Sequence, residues 1–288
     1  MNRRYGLRSN KTLFNILFLA PALIFFAYGV VIPFAQGIPY SFTNWNAVSP
    51  DFDFIGLRNY ITIFTEKQFF TDFKNTLYYT LLTTIFCNLF GLIFAIGVYK
   101  TTIYNNIFRT IYFMPFVLSL ILAAYIWKYI YTDVYSPLFN VYSPLATTQG
   151  AIPGIAVMSI WRDSGYCMII FIAALQSIPA DYNEAAMIDG AGPIQRFLKI
   201  TLPLLVPAFS TNITLLMSWG FKVFEFPMAA TRGGPGGASE TISMYAYNNI
   251  FAYFNAGLGQ AASVIMVVLL AVITLLVSKA IRSKEVEL

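Results

Sequence analysis

Six long apolar runs recur along this chain, and they constrain its fold more than any other feature. They lie at about 12–33, 76–98, 110–131, 152–175, 203–222 and 259–280. Each run is close to the roughly 20 residues that an α-helix needs to cross the hydrocarbon core of a bilayer. The pattern therefore predicts an all-α polytopic membrane protein with six transmembrane helices, together forming one domain over residues 12–282.

The composition agrees with this membrane class. Hydrophobic residues make up 58% of the chain and charged residues only 11%, whereas a soluble domain carries about 25% charged residues. The net charge of +5 would suit a nucleic-acid partner, but the basic residues are dispersed and stand beside the apolar runs. We therefore expect contact with lipid and no contact with nucleic acid.

The positive charges predict which side of the membrane each loop faces. Six spans place both termini on one side, together with the loop at 176–202. Most basic residues fall in the segments assigned to that side: Arg3, Arg4, Arg8, Lys11, Lys100, Arg109, Arg196, Lys199, Lys279, Arg282 and Lys284. By the positive-inside rule, these segments are cytoplasmic. We predict cytoplasmic tails at 1–11 and 283–288.

The remaining segments are interpreted as loops. Residues 34–74 and 223–258 are expected to be external, the first with short amphipathic helices, and residues 132–151 are rich in turn residues. The run at 12–33 is too long for the apolar region of a signal peptide, and no small-residue cleavage site follows it. It is therefore read as an uncleaved first span.

The most polar interior stretch, residues 184–207, predicts a short helix that ends sharply. Ser177 and Pro179 suit a helix start upstream of it. Gly190 suits a stop, and a second helix is expected from about Pro193. The small residues around Ala185 would let another protein approach the backbone closely.

This stretch resembles the EAA loop of the permease subunits of binding-protein-dependent ABC importers. The resemblance lies in Glu184-Ala185-Ala186, Gly190, Phe197, Ile200, Pro203 and Pro207, which stand at the spacing of that family. It implies the permease fold of type I ABC importers in a bacterial cytoplasmic (inner) membrane. In such a protein the loop is the coupling helix that docks into a groove of a cytoplasmic ATPase.

Further expectations follow from the resemblance. The implied coupling residues are Glu184, Ala185, Ala186, Asp189, Gly190 and Ala191. The implied partners are a second homologous permease, which in this branch is usually a different chain, two ATPase subunits and an extracellular or periplasmic solute-binding protein. The chain itself has no Gly-rich phosphate loop followed by Lys and Ser or Thr. ATP and Mg²⁺ are therefore expected on the ATPase subunits, and this chain is not expected to be an enzyme or to bind a cofactor.

Two other strings resemble the carbohydrate, maltose-type branch of the family. They are Phe54-Ile-Gly-Leu-Arg-Asn-Tyr60 and Thr231-Arg-Gly-Gly-Pro235. The resemblance implies that the substrate is a sugar or an oligosaccharide. The alternative interpretation of the first string is a set of aromatic residues at the membrane surface. The alternative interpretation of the second is a plain Gly-rich loop.

The same resemblance assigns a substrate pathway to the fourth and fifth spans. The implied residues are Tyr166, Ile169, Trp219, Phe221, Lys222 and Val223. Trp219 and Lys222 are three residues apart and so share one face of a helix. Lys222 and the pair Arg162-Asp163 depart from the family pattern. Lys222 and Arg162 would also suit glycerol phosphate or an acidic sugar. Alternatively, the Lys222 side chain extends to the external membrane surface and does not contact substrate.

Two further classes of protein are weighed against the importer. A stand-alone secondary transporter predicts acidic residues within spans for ion coupling, and Asp163 is the nearest such residue. A membrane-embedded enzyme would need clustered acidic, His or Cys groups. The chain has no His, which excludes Ser-His-Asp chemistry and His-based metal sites. Cys87 and Cys167 have no ligand spacing and read as buried thiols, so no metal site is predicted.

Overall fold

The computed structural model describes residues 4–282, with side chains described for residues 15–281. Within that part of the chain the secondary structure is helical, with one isolated β-bridge between Thr43 and Phe54. The α-helices are Arg4–Phe26, Ile32–Tyr40, Arg58–Thr65, Lys67–Val98, Ile103–Val117, Leu120–Tyr129, Ser136–Phe139, Ala151–Ser177, Ala180–Ile188, Pro193–Arg196, Leu202–Leu204, Val206–Phe221, Glu225–Ala230, Ile242–Phe251 and Ala256–Arg282. The predicted tail at 283–288 and the first three residues of the tail at 1–11 lie outside the described residues.

Among the residues that the structure describes, four single helices are long and apolar enough to cross a membrane. Two bent helix pairs raise the number to six when each pair is one span. The single helices are Asn15–Tyr40, Lys67–Val98, Ala151–Ser177 and Ala256–Ile281, and the bent pairs are Ile103–Val117 with Leu120–Phe139 and Pro193–Leu204 with Val206–Phe221. We refer to them as the first to sixth spans in chain order. The all-α class and the presence of apolar spans agree with the prediction.

The third span is not the single run predicted at 110–131. It bends by 98° where Ile103–Val117 gives way to Leu120–Phe139. Pro115 removes one helical donor just before the break, and the Ser119 hydroxyl accepts a bond from the Leu122 amide at the start of the second half. The second half continues through Phe139, so the predicted loop at 132–151 is wrong over its first eight residues.

The fifth span begins ten residues earlier than its predicted start at 203. Its two halves meet at Leu205 with a bend of 58°. Pro203 and Pro207 flank this residue, and neither can donate a helical hydrogen bond. Because the first half starts at Pro193, it occupies part of the loop predicted at 176–202.

The two long segments predicted as loops contain more helix than expected. The first span continues to Tyr40, and the second span starts at Lys67 rather than 76. Between them lies the short helix Arg58–Thr65 that the prediction allowed for. The segment 223–258 holds the helices Glu225–Ala230 and Ile242–Phe251, so its description as a plain loop is wrong.

The chain divides into two compact units. The first comprises Met1–Ile63 and Asn248–Val264. Buried Asn59 organises it, because its side-chain amide donates to the carbonyls of Ser41 at 2.9 Å and Thr43 at 2.8 Å. Gly257 is required there, since a Cβ at this position would lie 2.1 Å from the Thr43 carbonyl oxygen.

The second unit comprises Phe64–Tyr247 and Ile265–Leu288. Its centre is the fourth span, which packs against the second, third and fifth spans. Gly165 allows the closest of these approaches, because a Cβ would lie 2.1 Å from the carbonyl oxygen of Tyr112 in the third span. Small residues at such crossings let helix backbones pack closely in membranes.

We therefore expect Gly165→Ala to destabilise the protein by about 1–3 kcal/mol, because the added methyl group meets backbone that cannot turn away. The measurement is the melting temperature of the protein purified in detergent. Gly97→Ala is the matched control, since a Cβ there meets nothing within 4 Å. Equal melting temperatures for the two variants would contradict the packing described for the fourth span.

Candidate functional site

The predicted short helix of the EAA loop is present. It spans Ala180–Ile188, and we call it the coupling-loop helix. Gly190 has φ +80°, a left-handed angle that favours glycine. The Gly190 amide donates to the Met187 carbonyl at 3.1 Å and the Ala191 amide to the Ala186 carbonyl at 2.9 Å. These bonds close the helix end, and the next helix starts at Pro193, as predicted.

The residues predicted to dock an ATPase lie on an accessible surface. Glu184, Ala185, Asp189 and Gly190 are exposed, and Ala186 and Ala191 are partly exposed. Sequence reasoning missed the apolar side chains beside them, Met187, Ile188 and Ile194, of which Ile188 is 86% exposed. Exposed apolar side chains grouped with small residues are typical of a protein-binding surface.

A cavity of about 660 Å³ lies behind the coupling-loop helix. Glu184 and Arg196 line it together with Tyr99 and Phe197. The Nε atom of Arg196 is buried without a hydrogen-bond partner among the described residues. The coupling-loop helix is therefore separated from the spans behind it by open space on one side.

A second cavity, of about 300 Å³, lies between the spans of the second unit, and we call it the central cavity. It is lined by Tyr79, Thr83, Phe116, Leu120, Ser159, Arg162, Asp163, Leu216, Trp219, Gly220, Lys222, Val223, Glu225 and Phe226. Aromatic rings, hydroxyl groups and charged groups therefore face one space. Sugar-binding sites are built from these components, because sugars stack on rings and need hydrogen-bond partners.

Three of the six predicted pathway residues line the central cavity: Trp219, Lys222 and Val223. Tyr166 stands behind them, with its ring 4.8 Å from that of Phe116 and 5.3 Å from that of Trp219. It supports the aromatic wall from outside the lining.

Like Tyr166, two further predicted pathway residues do not line the central cavity. Phe221 is fully buried, and Ile169 is 40% exposed on another face of the fourth span. The spacing from Tyr166 to Ile169 placed both on one helix face, but neither belongs to the cavity lining.

Several polar lining residues were missed by sequence reasoning. The Tyr79 and Ser159 hydroxyls form a hydrogen bond between the second and fourth spans. Tyr79 and Thr83 are four residues apart, as are Ser159 and Asp163, so each pair shares a helix face. Polar residues at that spacing within apolar runs are the signal that would have indicated this face.

The charges in the central cavity are balanced. Arg162 Nη1 and Asp163 Oδ1 are 2.6 Å apart, with side chains only 15% and 11% exposed. Arg162 Nε also donates to the Leu118 carbonyl at 3.2 Å. Lys222 and Glu225 add one positive and one negative charge, and both are exposed.

Among the described residues, no group of three His, Cys, Asp or Glu side chains is placed to hold a metal ion.

Comparison with known proteins agrees with this architecture. Residues 87–284 match the family of inner membrane components of binding-protein-dependent transport systems. The probable starch degradation products transport system permease protein AmyD of Thermoanaerobacterium thermosulfurigenes is 32% identical over 278 residues, covering 94% of this chain and 95% of that protein. The multiple sugar-binding transport system permease protein MsmF of Streptococcus mutans is 31% identical over 280 residues, covering 95% of each chain.

A solved structure has the same fold. The crystal structure of a bacterial ABC transporter involved in the import of the acidic polysaccharide alginate contains a chain that superposes with a TM-score of 0.81 at 22% identity, over 98% of this chain and 99% of that one. The chain therefore belongs to the family of inner membrane components of binding-protein-dependent transport systems. It is a multi-pass membrane permease of an ABC importer, which confirms the resemblance seen in the EAA stretch.

We expect Trp219→Ala to lower transport several-fold, because it removes a stacking face from the central cavity, worth about 0.5–1.5 kcal/mol beyond area burial in aromatic pairs. The measurement is sugar uptake by the importer reconstituted in liposomes. Trp161→Ala is the matched control, since Trp161 packs edge-on against Trp127 with centroids 5.9 Å apart and does not line the central cavity. An equal loss in both variants would contradict the assignment of Trp219 to the substrate path.

Proposed function

We propose that this chain is the permease subunit of an ABC importer that takes up a sugar or an oligosaccharide. The observation that carries the proposal is the central cavity, which Trp219 and Phe116 line together with Tyr79 and Ser159. The names of the relatives AmyD and MsmF, which refer to starch degradation products and to multiple sugars, support it. An extracellular or periplasmic solute-binding protein would deliver the sugar to this cavity.

Energy for transport would come from two ATPase subunits that bind ATP and Mg²⁺. The coupling-loop helix is the proposed docking element for one of them. Its small residues Ala185 and Ala186 permit close approach, and exposed Ile188 supplies apolar contact area. A second homologous permease, which we expect to be a different chain, would complete the transmembrane assembly.

Two other candidates are less well supported. Uptake of glycerol phosphate or an acidic sugar would need net positive charge, whereas Arg162 is paired with Asp163 at 2.6 Å. A stand-alone secondary transporter would need an acidic residue free to bind a coupling ion, and Asp163 is held in the same ion pair.

The direct test of the proposed function has two stages. A thermal-shift screen of neutral and acidic sugars against the associated binding protein would identify the ligand. Uptake of that ligand would then be measured with the assembled complex in liposomes. Uptake of a neutral sugar that depends on ATP supports the proposal, and uptake that proceeds without ATP or without the binding protein contradicts it.

Gly190→Val is expected to uncouple the importer. Valine at φ +80° is strained, so the end of the coupling-loop helix should change while the spans remain inserted. We expect loss of transport and weaker retention of the ATPase, measured by uptake and by co-purification. Gly192→Ala is the matched control, because Gly192 has φ −67° and a Cβ there meets nothing within 4 Å. Normal transport by Gly190→Val would contradict the coupling role.

The proposed topology has both termini in the cytoplasm. A reporter fused after Leu288 should be cytoplasmic, and one inserted at Gly236 should be external, because basic residues concentrate on the cytoplasmic side. The measurement is paired alkaline phosphatase and green fluorescent protein activity in intact cells. Finding both positions on the same side would contradict six crossings.

A further inference from the structure

The bend in the third span removes backbone hydrogen bonds that a continuous helix would have made. At the start of its second half, the Ser119 hydroxyl accepts from the Leu122 amide at 3.2 Å. The Leu118 carbonyl, at the break itself, accepts from Arg162 Nε at 3.2 Å. An unpaired carbonyl among apolar spans is costly, so this donor matters to the bent conformation.

Arg162 is held in place by two further contacts. Its Nη1 atom pairs with Asp163 Oδ1 at 2.6 Å. The carbon of its guanidinium group lies 4.6 Å from the centre of the Phe116 ring, in the first half of the third span. Guanidinium groups stack on aromatic faces and present donors in a fixed planar arrangement. One side chain of the fourth span therefore contacts the third span at its bend through both a ring and a backbone carbonyl.

We propose that Arg162 is a positioning residue, which fixes the bend of the third span by donating its Nε hydrogen to Leu118. In this role Arg162 shapes the central cavity, and its charge does not serve to bind an acidic substrate. Phe116 and Leu120 stand on opposite sides of the bend and line the same cavity, so the bend sets the width between them. The part of this inference that concerns transport rests on the proposed function; the part that concerns the bend does not.

The charge of Arg162 is already compensated where it stands. Asp163 lies next to it in the chain and in contact with it, and both side chains are largely buried. A buried pair of this kind contributes little net field to the cavity. The donor at Nε, by contrast, meets the Leu118 carbonyl at the break in the third span. Arg162 can therefore act as a hydrogen-bond donor to Leu118 or as a positive charge, and different substitutions test these two roles separately.

Glutamine and lysine separate these roles. The Nε2 atom of glutamine stands the same number of bonds from the backbone as Nε of arginine, so Arg162→Gln keeps a donor at the required position and loses the charge. Arg162→Lys keeps the charge and has a methylene at that position. Asp163→Asn accompanies the glutamine, so that no carboxylate is left unpaired. Arg162→Met with Asp163→Asn has the same net charge as the Gln/Asn pair and no donor.

The bend can be measured directly by pulsed electron spin resonance. Spin labels at Tyr104→Cys and Leu138→Cys report on the two halves of the third span, and both positions are more than two thirds exposed. The labels are placed in the assembled importer, with Cys87 and Cys167 replaced by alanine. With a helical rise of 1.5 Å per residue, the 98° bend puts the two backbone sites roughly 33 Å apart and a straight span would put them roughly 50 Å apart.

The proposal expects the Gln/Asn pair to keep the short distance of the parent protein. It expects the lysine variant and the Met/Asn pair to shift the distance by several ångströms toward longer values and to lose most transport. Retention of the short distance by the lysine variant, or its loss in a correctly assembled Gln/Asn pair, overturns the proposal. If the Gln/Asn pair does not assemble, the lysine variant and the Met/Asn pair still decide it. Because the distance is measured without substrate, a wrong choice of sugar leaves that result intact.

Discussion

The third span changes direction by 98° at Leu118 and Ser119, and the central cavity depends on the contacts that hold this bend. Within a bilayer, a helix can break only where other groups take over its hydrogen bonds. Ser119 does so within the span, and Arg162 does so from the neighbouring helix. Phe116, before the bend, packs against Tyr166, and Leu120, after it, lies at the cavity wall.

The fourth span supports this arrangement from the centre of the second unit. It carries Gly165, which allows the third span to approach, and Ser159, whose hydroxyl bonds to Tyr79 of the second span. It also carries the pair Arg162 and Asp163. Polar groups inside apolar helices are costly unless they are paired, and here each of these groups has a partner on its own or a neighbouring span. The same residues that stabilise the packing thus provide the polar part of the cavity.

Sequence reasoning predicted the parts of this structure that depend on local chemistry. Apolar run length identified the spans, and Gly190 followed by Pro193 identified the end of the coupling-loop helix, because a left-handed angle and a missing donor act within a few residues. The spacing of Trp219 and Lys222 predicted that they lie on one side of the span, and both line the central cavity. The family resemblance extended these local signals to the class of protein.

Features that depend on contacts between helices were not predictable in this way. No glycine or proline stands at Leu118 or Ser119, so the sharpest bend has no direct signal beyond Pro115. Arg162 could be identified as unusual, but its partner Leu118 lies 44 residues away on another span. Phe221, which the resemblance implied, and Ile169, which shares a helix face with Tyr166 by spacing, lie outside the lining of the central cavity. Spacing gives a shared helix face without saying which face lines a cavity.

The most direct test of this account asks whether the central cavity is the transport path. Glu225→Cys places a thiol on the cavity wall, and Ile169→Cys places one on an exposed face outside it. Both would be labelled with a bulky thiol reagent in the reconstituted importer, with Cys87 and Cys167 replaced by alanine. The account predicts that labelling Glu225→Cys abolishes sugar uptake and labelling Ile169→Cys leaves it unchanged. Unchanged uptake after complete labelling of Glu225→Cys would contradict it.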